Sequence, residues 1–98
     1  MKTLSVRQRK YLKGRAHSLK PVVTVGPGGL SPGVVEELAR NIAHHELMKI
    51  KLPAGGKAER RAMLDAACDA VGAAAVTLIG RTGIMYRAAE DTRIRLPE

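Results

Sequence analysis

The chain contains no phenylalanine and no tryptophan, and its 98 residues include only two tyrosines. Proteins that bind nucleic acid by base stacking use several aromatic side chains as a platform. Stacking on aromatic rings therefore cannot be the main mode of nucleic-acid binding here. The core must instead be built from Val, Ile, Leu, Met and Ala, since hydrophobic residues still make up 45% of the chain. A content this high is typical of a folded protein and excludes a disordered one.

Cysteine and long apolar runs are also scarce. The single cysteine, Cys68, excludes an internal disulfide. No stretch approaches the ~18 consecutive apolar residues that a membrane-spanning helix needs, and the N-terminus lacks the apolar segment of a secretory signal. We therefore expect a cytoplasmic protein with no membrane-spanning segment, folded as a single domain over residues 1–98.

Acidic residues are absent from the first 35 positions, and the first of them is Glu36. Over the whole chain, 17 Lys and Arg oppose 9 Asp and Glu, which gives a net charge of +8. Much of this excess lies in an N-terminal arm, whose basic residues are Lys2, Arg7, Arg9, Lys10, Lys13, Arg15 and Lys20. Such an uneven distribution indicates a polyanionic partner, which is RNA, DNA or an acidic membrane surface.

Hydrophobic periodicity and turn residues predict the element order α-β-α-β-α-β-β. The predicted helices cover residues 5–17, 31–44 and 57–71, and the predicted strands cover 21–25, 47–52, 75–79 and 84–87. The β-branched run 21–25 is typical of a buried strand, and residues 88–98 form a polar tail. Strands separated by helices favour parallel pairing with right-handed crossovers, while the last two strands must pair antiparallel. The predicted fold class is α/β, with a mixed four-stranded sheet packed with helices.

The predicted first helix carries its basic residues on one side. At about 100° per residue, Arg9, Lys10 and Lys13 fall within one arc, and Arg7 lies on the same side. A solvated helix face usually mixes charges of both signs, so the absence of acids favours a phosphate-binding face over an ordinary surface. The apolar side of this helix includes a Gln and an Arg, which makes it too polar for a membrane anchor.

A glycine-rich loop, Gly26-Pro27-Gly28-Gly29, connects the first strand to the helix that Ser31 and Pro32 begin. Unpaired amides and the positive end of a helix dipole attract a phosphate at such a site. From spacing alone, a tight turn that needs a positive φ is the commoner explanation of a G-x-x-G pattern. Both interpretations stay open at this point.

Other basic residues are weaker candidates for contact with nucleic acid: Lys20, Lys49, Lys51, Arg81 and Arg87. Lys49 and Lys51 share the wetter face of the second strand, where lysines also serve simply to discourage edge pairing. A second G-x-x-G, at residues 80–83, is predicted as a four-residue hairpin loop. We expect Tyr86 to lie in the core and not to act as a stacking platform.

No set of side chains predicts catalysis or a bound metal ion. His44 and His45 are adjacent and have no third ligand nearby, so they do not indicate a zinc site. Cys68 lies on an apolar helix face with no histidine placed to activate it, which predicts a packed thiol and not a nucleophile. We expect no enzyme activity, no cofactor, no metal and no small-molecule substrate.

Four blocks of the sequence resemble the CRM domain, the YhbY-type family of RNA-binding proteins. The blocks are Leu4, Ser5, Gln8, Leu12, Lys13, Gly14, Ala16 and His17, then residues 19–31, 44–51 and 79–87. They occur in the family's order, and the resemblance extends over residues 4–97. It implies an α-β-α-β-α-β-β fold like that of the C-terminal domain of bacterial translation initiation factor three, in agreement with the order predicted above.

The resemblance also implies a function. Stand-alone bacterial members are associated with precursors of the large ribosomal subunit, and the family's G-x-x-G loop is similar to the KH loop that clamps a nucleic-acid backbone. Gly26 and Gly29 are the matching positions, whereas Pro27 and Gly28 replace the Lys, Arg or polar residues of many relatives, so the loop keeps only its amides. We predict a monomeric RNA-binding protein of ribosome biogenesis; the alternative is a DNA-binding or nucleoid-associated protein.

Overall fold

The computed structural model describes residues 3–98, and the elements follow the predicted order. They are α1 (Val6–Ala16), β1 (Pro21–Thr24), α2 (Pro32–His45), β2 (Leu47–Lys51), α3 (Lys57–Val71), β3 (Ala74–Ile79) and β4 (Thr82–Tyr86). Lys2, which belongs to the basic N-terminal arm, lies outside the described residues.

Capping residues explain where α1 and α2 begin and where α3 ends. The Ser5 hydroxyl accepts the N–H of Gln8 at 3.1 Å, and the Gln8 side chain accepts the N–H of Ser5 at 3.0 Å, so α1 begins with a reciprocal capping box. The Ser31 hydroxyl accepts the N–H of Val34 at 3.3 Å at the start of α2. At the end of α3, Gly72 has a φ of 68°, the left-handed conformation that glycine adopts without strain. The helix start predicted at Ser31 and Pro32 is confirmed.

The four strands form one mixed sheet in the order β1-β2-β4-β3. Parallel pairing is limited to β1 and β2, because β4 lies between β2 and β3 and pairs antiparallel with both. The prediction of β1 as a buried strand is wrong. It forms an edge of the sheet, and of its four residues only Val23 is buried, while Val22 is 41% exposed.

Helices cover both faces of the sheet, and each face has its own apolar cluster. Leu38 and Ile42 of α2 and Leu64 of α3 are fully buried against one face, together with Met48 and Ile50 of β2. On the other face, α1 buries Leu12 and Ala16 against a cluster that includes Leu47, Val76, Ile84 and Tyr86. The core position predicted for Tyr86 is confirmed, since only 7% of the residue is exposed.

The second G-x-x-G is not a four-residue loop, which corrects the prediction for residues 80–83. Ile79 pairs with Thr82, so the turn consists of Gly80 and Arg81, and Gly83 lies inside β4. A Cβ atom on Gly83 would lie 2.7 Å from the Cδ1 atom of Leu64 on α3. Gly83 is therefore needed because the helix packs closely against the strand at this point.

Residues 88–98 contain no helix or strand, yet they are docked on the domain. Ile94 is 8% exposed, and Leu96 packs with it against the α1 cluster. The side-chain amide of Gln8 donates to the carbonyl oxygen of Pro97 at 3.1 Å, which ties the tail to the start of α1. The tail thus extends the cover that α1 provides at one end of this sheet face.

Candidate nucleic-acid interface

The outer face of α1 is strongly basic. Arg7, Lys10 and Lys13 are exposed on this face, while Leu12 and Ala16 hold the opposite side of the helix in the core. Lys10 and Lys13 are three residues apart, so they are neighbours on the helix surface. The outer face therefore presents adjacent cations on a rigid, well-anchored element.

Arg9 does not belong to this outer face, which corrects the predicted arc of Arg9, Lys10 and Lys13. It is half-buried, and its Nε donates to the carbonyl oxygen of Ala75 on β3 at 3.3 Å. Arg15 lies elsewhere on the helix, where its guanidinium carbon is 5.8 Å from the centre of the Tyr11 ring. Tyr11 itself is 36% exposed.

The face of the sheet that carries α1 is covered at one end only. Side chains alternate along β2, so Lys49 and Lys51 face the same side as Leu47, which α1 covers. At the far end, Lys51 pairs with Thr24 on one side and Thr82 on the other, and Thr82 pairs with Ile79. We call the four residues Thr24, Lys51, Thr82 and Ile79 the open row. Three of them are exposed and Thr82 is half-buried.

Lys49 connects the open row to α1. Its Nζ donates to the carbonyl oxygen of His17, just past the end of α1, at 3.3 Å. Lys20 is exposed one residue before Pro21, which pairs with Lys49, so Lys20 lies close to the same region. A path of positive charge therefore runs from the outer face of α1 to the open row.

The Gly26-Pro27-Gly28-Gly29 loop lies at the same end of the sheet as the open row, directly after β1. The N–H of Gly29 donates to the carbonyl oxygen of Gly26 at 3.0 Å, and Gly29 has a φ of 74°. The loop is thus a tight turn whose last position favours glycine. Pro27 has no N–H group, and the N–H of Gly29 is used within the turn. The N–H of Gly28 takes part in no hydrogen bond within residues 3–98, so the loop offers fewer free amides than the sequence suggested.

The remaining candidates, Arg81 and Arg87, lie at opposite ends of β4. Arg81 is exposed beside the open row, and its Nε donates to the carbonyl oxygen of Leu52 at 3.1 Å. Arg87 donates through Nη1 to the carbonyl oxygen of Val71, at the end of α3, at 2.9 Å. The structure brings Arg81 together with the loop and the open row, and it separates Arg87 from them.

Most candidate cations thus share one continuous region, which we call the basic surface: Arg7, Lys10, Lys13, Lys20, Lys49, Lys51 and Arg81. The ion pairs within residues 3–98 are Arg61–Asp65 and Arg93–Glu46, and neither involves this surface. Cations that lack an acidic partner keep their attraction for an external anion.

Sequence reasoning missed that Arg15 lies close to His45 and Arg93, because it left the tail without a position. Arg15, His45 and Arg93 line a groove of about 320 Å³ between α1, the end of α2 and the tail. The alternation of Arg93 and Arg95 with the apolar Ile94 and Leu96 is the signal that would have indicated a docked segment.

Glu46 was also missed as a structural anchor for that tail. It is 1% exposed, and its carboxylate accepts the Thr92 hydroxyl at 2.5 Å, the N–H of Arg93 at 2.8 Å and the N–H of Ala89 at 3.2 Å. Burial alone would raise the pKa of this carboxyl, but these hydrogen bonds and the charge of Arg93 outweigh it and lower the pKa below its ordinary 4.5.

Other reactive side chains are not arranged for chemistry. Cys68 is buried, and burial, reinforced by the charges of Asp65 and Asp69, raises its pKa to about 12, which confirms a packed thiol. The rings of His44 and His45 are perpendicular, with centres 4.8 Å apart. Among residues 3–98 there is no group of three or more metal-ligating side chains, and no helix is long and apolar enough to cross a membrane.

Comparison with known proteins relates this arrangement to a family. The chain is 39% identical over 97 residues to a protein of Haemophilus influenzae named "RNA-binding protein", covering 99% of this chain and 98% of that one. It is 40% identical over 84 residues to a Pseudomonas aeruginosa protein named "Probable RNA-binding protein", covering 86% of this chain and 81% of that one.

A solved structure shows the same fold. The solution structure of a hypothetical protein from Staphylococcus aureus matches with a TM-score of 0.86 at 24% sequence identity, over 97% of this chain and 100% of that one. The family model for the CRS1/YhbY (CRM) domain matches residues 4–87, which span all seven helices and strands described above. The chain therefore belongs to the CRS1/YhbY (CRM) domain family.

Proposed function

We propose that this protein binds RNA through its basic surface, chiefly by contacts to backbone phosphates. The observation that carries the proposal is a path of cations that form no ion pair within residues 3–98. It runs from the outer face of α1, through Lys49, to the open row beside the Gly26–Gly29 loop. Phosphate contacts of this kind fix the position of a nucleic acid and contribute little sequence readout. The relatives named RNA-binding proteins support RNA as the partner.

The open row favours RNA over DNA in this proposal. Thr24 and Thr82 lie on either side of Lys51, so two hydroxyl groups flank a cation on an accessible part of the sheet. Hydroxyl groups both donate and accept hydrogen bonds, which suits the 2′-hydroxyl that distinguishes RNA from DNA. In a competition assay, an RNA should therefore displace a labelled RNA from the protein at a lower concentration than a DNA of the same sequence does. Equal competition by the two would favour a DNA-binding role.

We further propose that the RNA is ribosomal and that the chain, residues 1–98, acts in the cytoplasm on precursors of the large ribosomal subunit. The resemblance to stand-alone CRM proteins supports this. When a lysate with the tagged protein is sedimented on a sucrose gradient, we expect the protein to migrate with immature large subunits and to leave them at high salt. Sedimentation only with mature particles, or only at the top of the gradient, would contradict the ribosomal role.

The Gly26–Gly29 loop should contact a phosphate of the bound RNA. Replacing Pro27 and Gly28 together with Asp places carboxylates where that phosphate would lie, and we expect RNA binding at least ~10-fold weaker, or about 1.4 kcal/mol. The fold should tolerate the change, because Gly28 has an ordinary negative φ and nothing lies within 4 Å of a Cβ atom built on it.

The matched control for the loop replaces the same two residues with Ala, which changes the shape of the loop without adding charge. Pro27→Lys should strengthen binding, since it adds the charge that many relatives carry at this loop. Fluorescence anisotropy with a labelled RNA measures all three variants. If the Asp and Ala variants bind equally well, the loop is only a turn.

A further inference from the structure

A groove of about 390 Å³ opens beside the Gly26–Gly29 loop. Pro27 contributes one part of its wall, and Pro53 and Ala54 of the loop between β2 and α3 contribute another. Glu59, Arg60 and Met63 line it from the first turns of α3. The volume is within the range of small-ligand sites, and the lining combines apolar side chains with a few polar groups, as such sites do.

Arg60 carries an unsatisfied donor at this groove. Its Nη1 donates to the carbonyl oxygen of Gly55 at 2.8 Å, which fixes the guanidinium in place. Its Nε is buried and has no hydrogen-bond partner within the described residues. A buried donor without a partner costs stability, and the missing acceptor comes from an ordered water or from a bound ligand.

Glu59 supplies an acceptor next to that donor. Its Oε1 accepts the N–H of Gly56 at 3.2 Å, and no hydrogen bond within residues 3–98 uses its Oε2. A phosphate carries only acceptor oxygens and negative charge, so the Glu59 carboxylate disfavours it in this groove. A nucleobase presents donors beside acceptors on its edge and is uncharged, which fits a neighbouring carboxylate and guanidinium.

We propose that this groove holds one unstacked nucleobase of the RNA whose backbone lies against the Gly26–Gly29 loop. The inference rests on the proposed RNA binding and gives it a base-contacting subsite. Unstacked bases in protein complexes lie on aromatic rings or on arginine guanidinium planes. No tyrosine or histidine is among the residues that line this groove. The fixed guanidinium of Arg60, with the apolar rings of Pro27 and Pro53, is therefore the platform that the groove offers.

The test compares a short single-stranded RNA homopolymer with an abasic ribose-phosphate RNA of the same length. We expect the protein to bind the homopolymer at least ~10-fold more tightly, because stacking one base onto a protein platform is worth about that much or more. Ala54→Leu narrows the groove without changing its charge. In this variant the homopolymer should bind only as tightly as the abasic RNA, and the affinity for the abasic RNA should stay the same as in the parent.

The matched control is Ala66→Leu, at an exposed position further along α3 that does not line the groove. Glu59→Gln is a second variant that keeps the helix cap, since glutamine serves equally well in a capping box. It exchanges an acceptor for a donor, so it should change the relative affinities for poly(A), poly(U) and poly(C). This readout would not move if Glu59 were only a capping residue.

The possible results distinguish a failure of the base-binding groove from a failure of the proposed RNA binding. If the homopolymer and the abasic RNA bind equally, the protein binds RNA but the groove holds no base. If the homopolymer is preferred and neither Ala54→Leu nor Glu59→Gln alters that preference, bases bind elsewhere and the inference is wrong. If neither RNA binds at all, the proposed function itself fails.

Discussion

Reversing the charges of Lys10 and Lys13 together, with Lys10→Glu and Lys13→Glu, should weaken RNA binding about 100-fold, or about 2.7 kcal/mol. The two side chains are exposed neighbours on the outer face of α1 and have no acidic partner within residues 3–98. Reversal therefore removes two phosphate contacts and adds repulsion at the same place. The fold should persist, because substitutions at exposed positions typically change stability by no more than about 0.5 kcal/mol each.

The salt dependence of binding tests the same contacts independently. If about four to six phosphates are neutralised, the logarithm of the parent's binding constant should fall with that of the salt concentration at a slope of roughly −3 to −5. In the double variant the slope should be shallower by about 1 for each lost contact. A salt-independent affinity of the parent would contradict electrostatic binding.

A matched control changes the net charge equally at positions outside the basic surface. Arg40 of α2 and Lys57 of α3 are exposed and form no ion pair within residues 3–98, and both helices cover the sheet face that α1 does not contact. Arg40→Glu with Lys57→Glu should reduce binding much less than the Lys10 and Lys13 pair. Equal losses from both pairs would mean that total charge, and not the basic surface, determines affinity.

Replacing Glu46 with Ala should lower the free energy of unfolding by about 3 kcal/mol, because losing one member of a buried charged network leaves its partners unsatisfied. The carboxylate holds Ala89, Thr92 and Arg93, so the tail should detach and expose Ile94 to water. Urea unfolding measures the loss of stability, and faster tryptic cleavage after Arg93 reports release of the tail.

Two further variants separate this anchor from a general effect of charge. Glu90→Ala removes a carboxylate of the same kind from an exposed tail position and should have little effect. Glu46→Gln keeps the size of the side chain but not its charge, and it should lose a large part of the same stability. A Glu46→Ala protein as stable as the parent would show that the tail contributes nothing to the fold.

The lowered pKa of Glu46 gives this anchor a defined pH dependence. Since the pKa in the folded protein lies below the ordinary 4.5, the carboxylate stabilises the fold fully above pH 4.5, and this contribution is lost as the pH falls through the lowered pKa. Below pH 4.5 the parent should therefore lose stability more steeply than Glu46→Gln. Parallel curves would mean that Glu46 is not the group responsible.

Part of the candidate site was predictable because it depends on local chemistry. The exposed cations of α1 follow from helical periodicity together with the lack of any acid before Glu36. The half-burial of Arg9 did not follow, since Arg9 donates to the Ala75 carbonyl of β3, far away in sequence. The groove beside the Gly26–Gly29 loop could not be predicted from the sequence either, because its lining residues come from two loops and α3.

Local signals are enough to predict the helices and strands of this protein. Serine caps, Gly72 and the periods of apolar residues give the order of the elements and place the ends of α1, α2 and α3 to within a few residues. Which strands are neighbours depends instead on contacts between distant segments. A β-branched run such as that in β1 fits an edge or a centre equally well, and its place depends on where β4 inserts in the sheet.

The same distinction holds for Gly83 and for the tail. Gly83 reads as a turn residue in sequence, but it is needed because Leu64 of α3 packs closely against β4, and that contact exists only after the helix docks. The short alternation of residues 93–96 does not show where the tail docks. That position depends on the buried carboxylate of Glu46, which accepts hydrogen bonds from the tail. Contacts between residues far apart in sequence carry no local pattern, so the folded structure alone decides them.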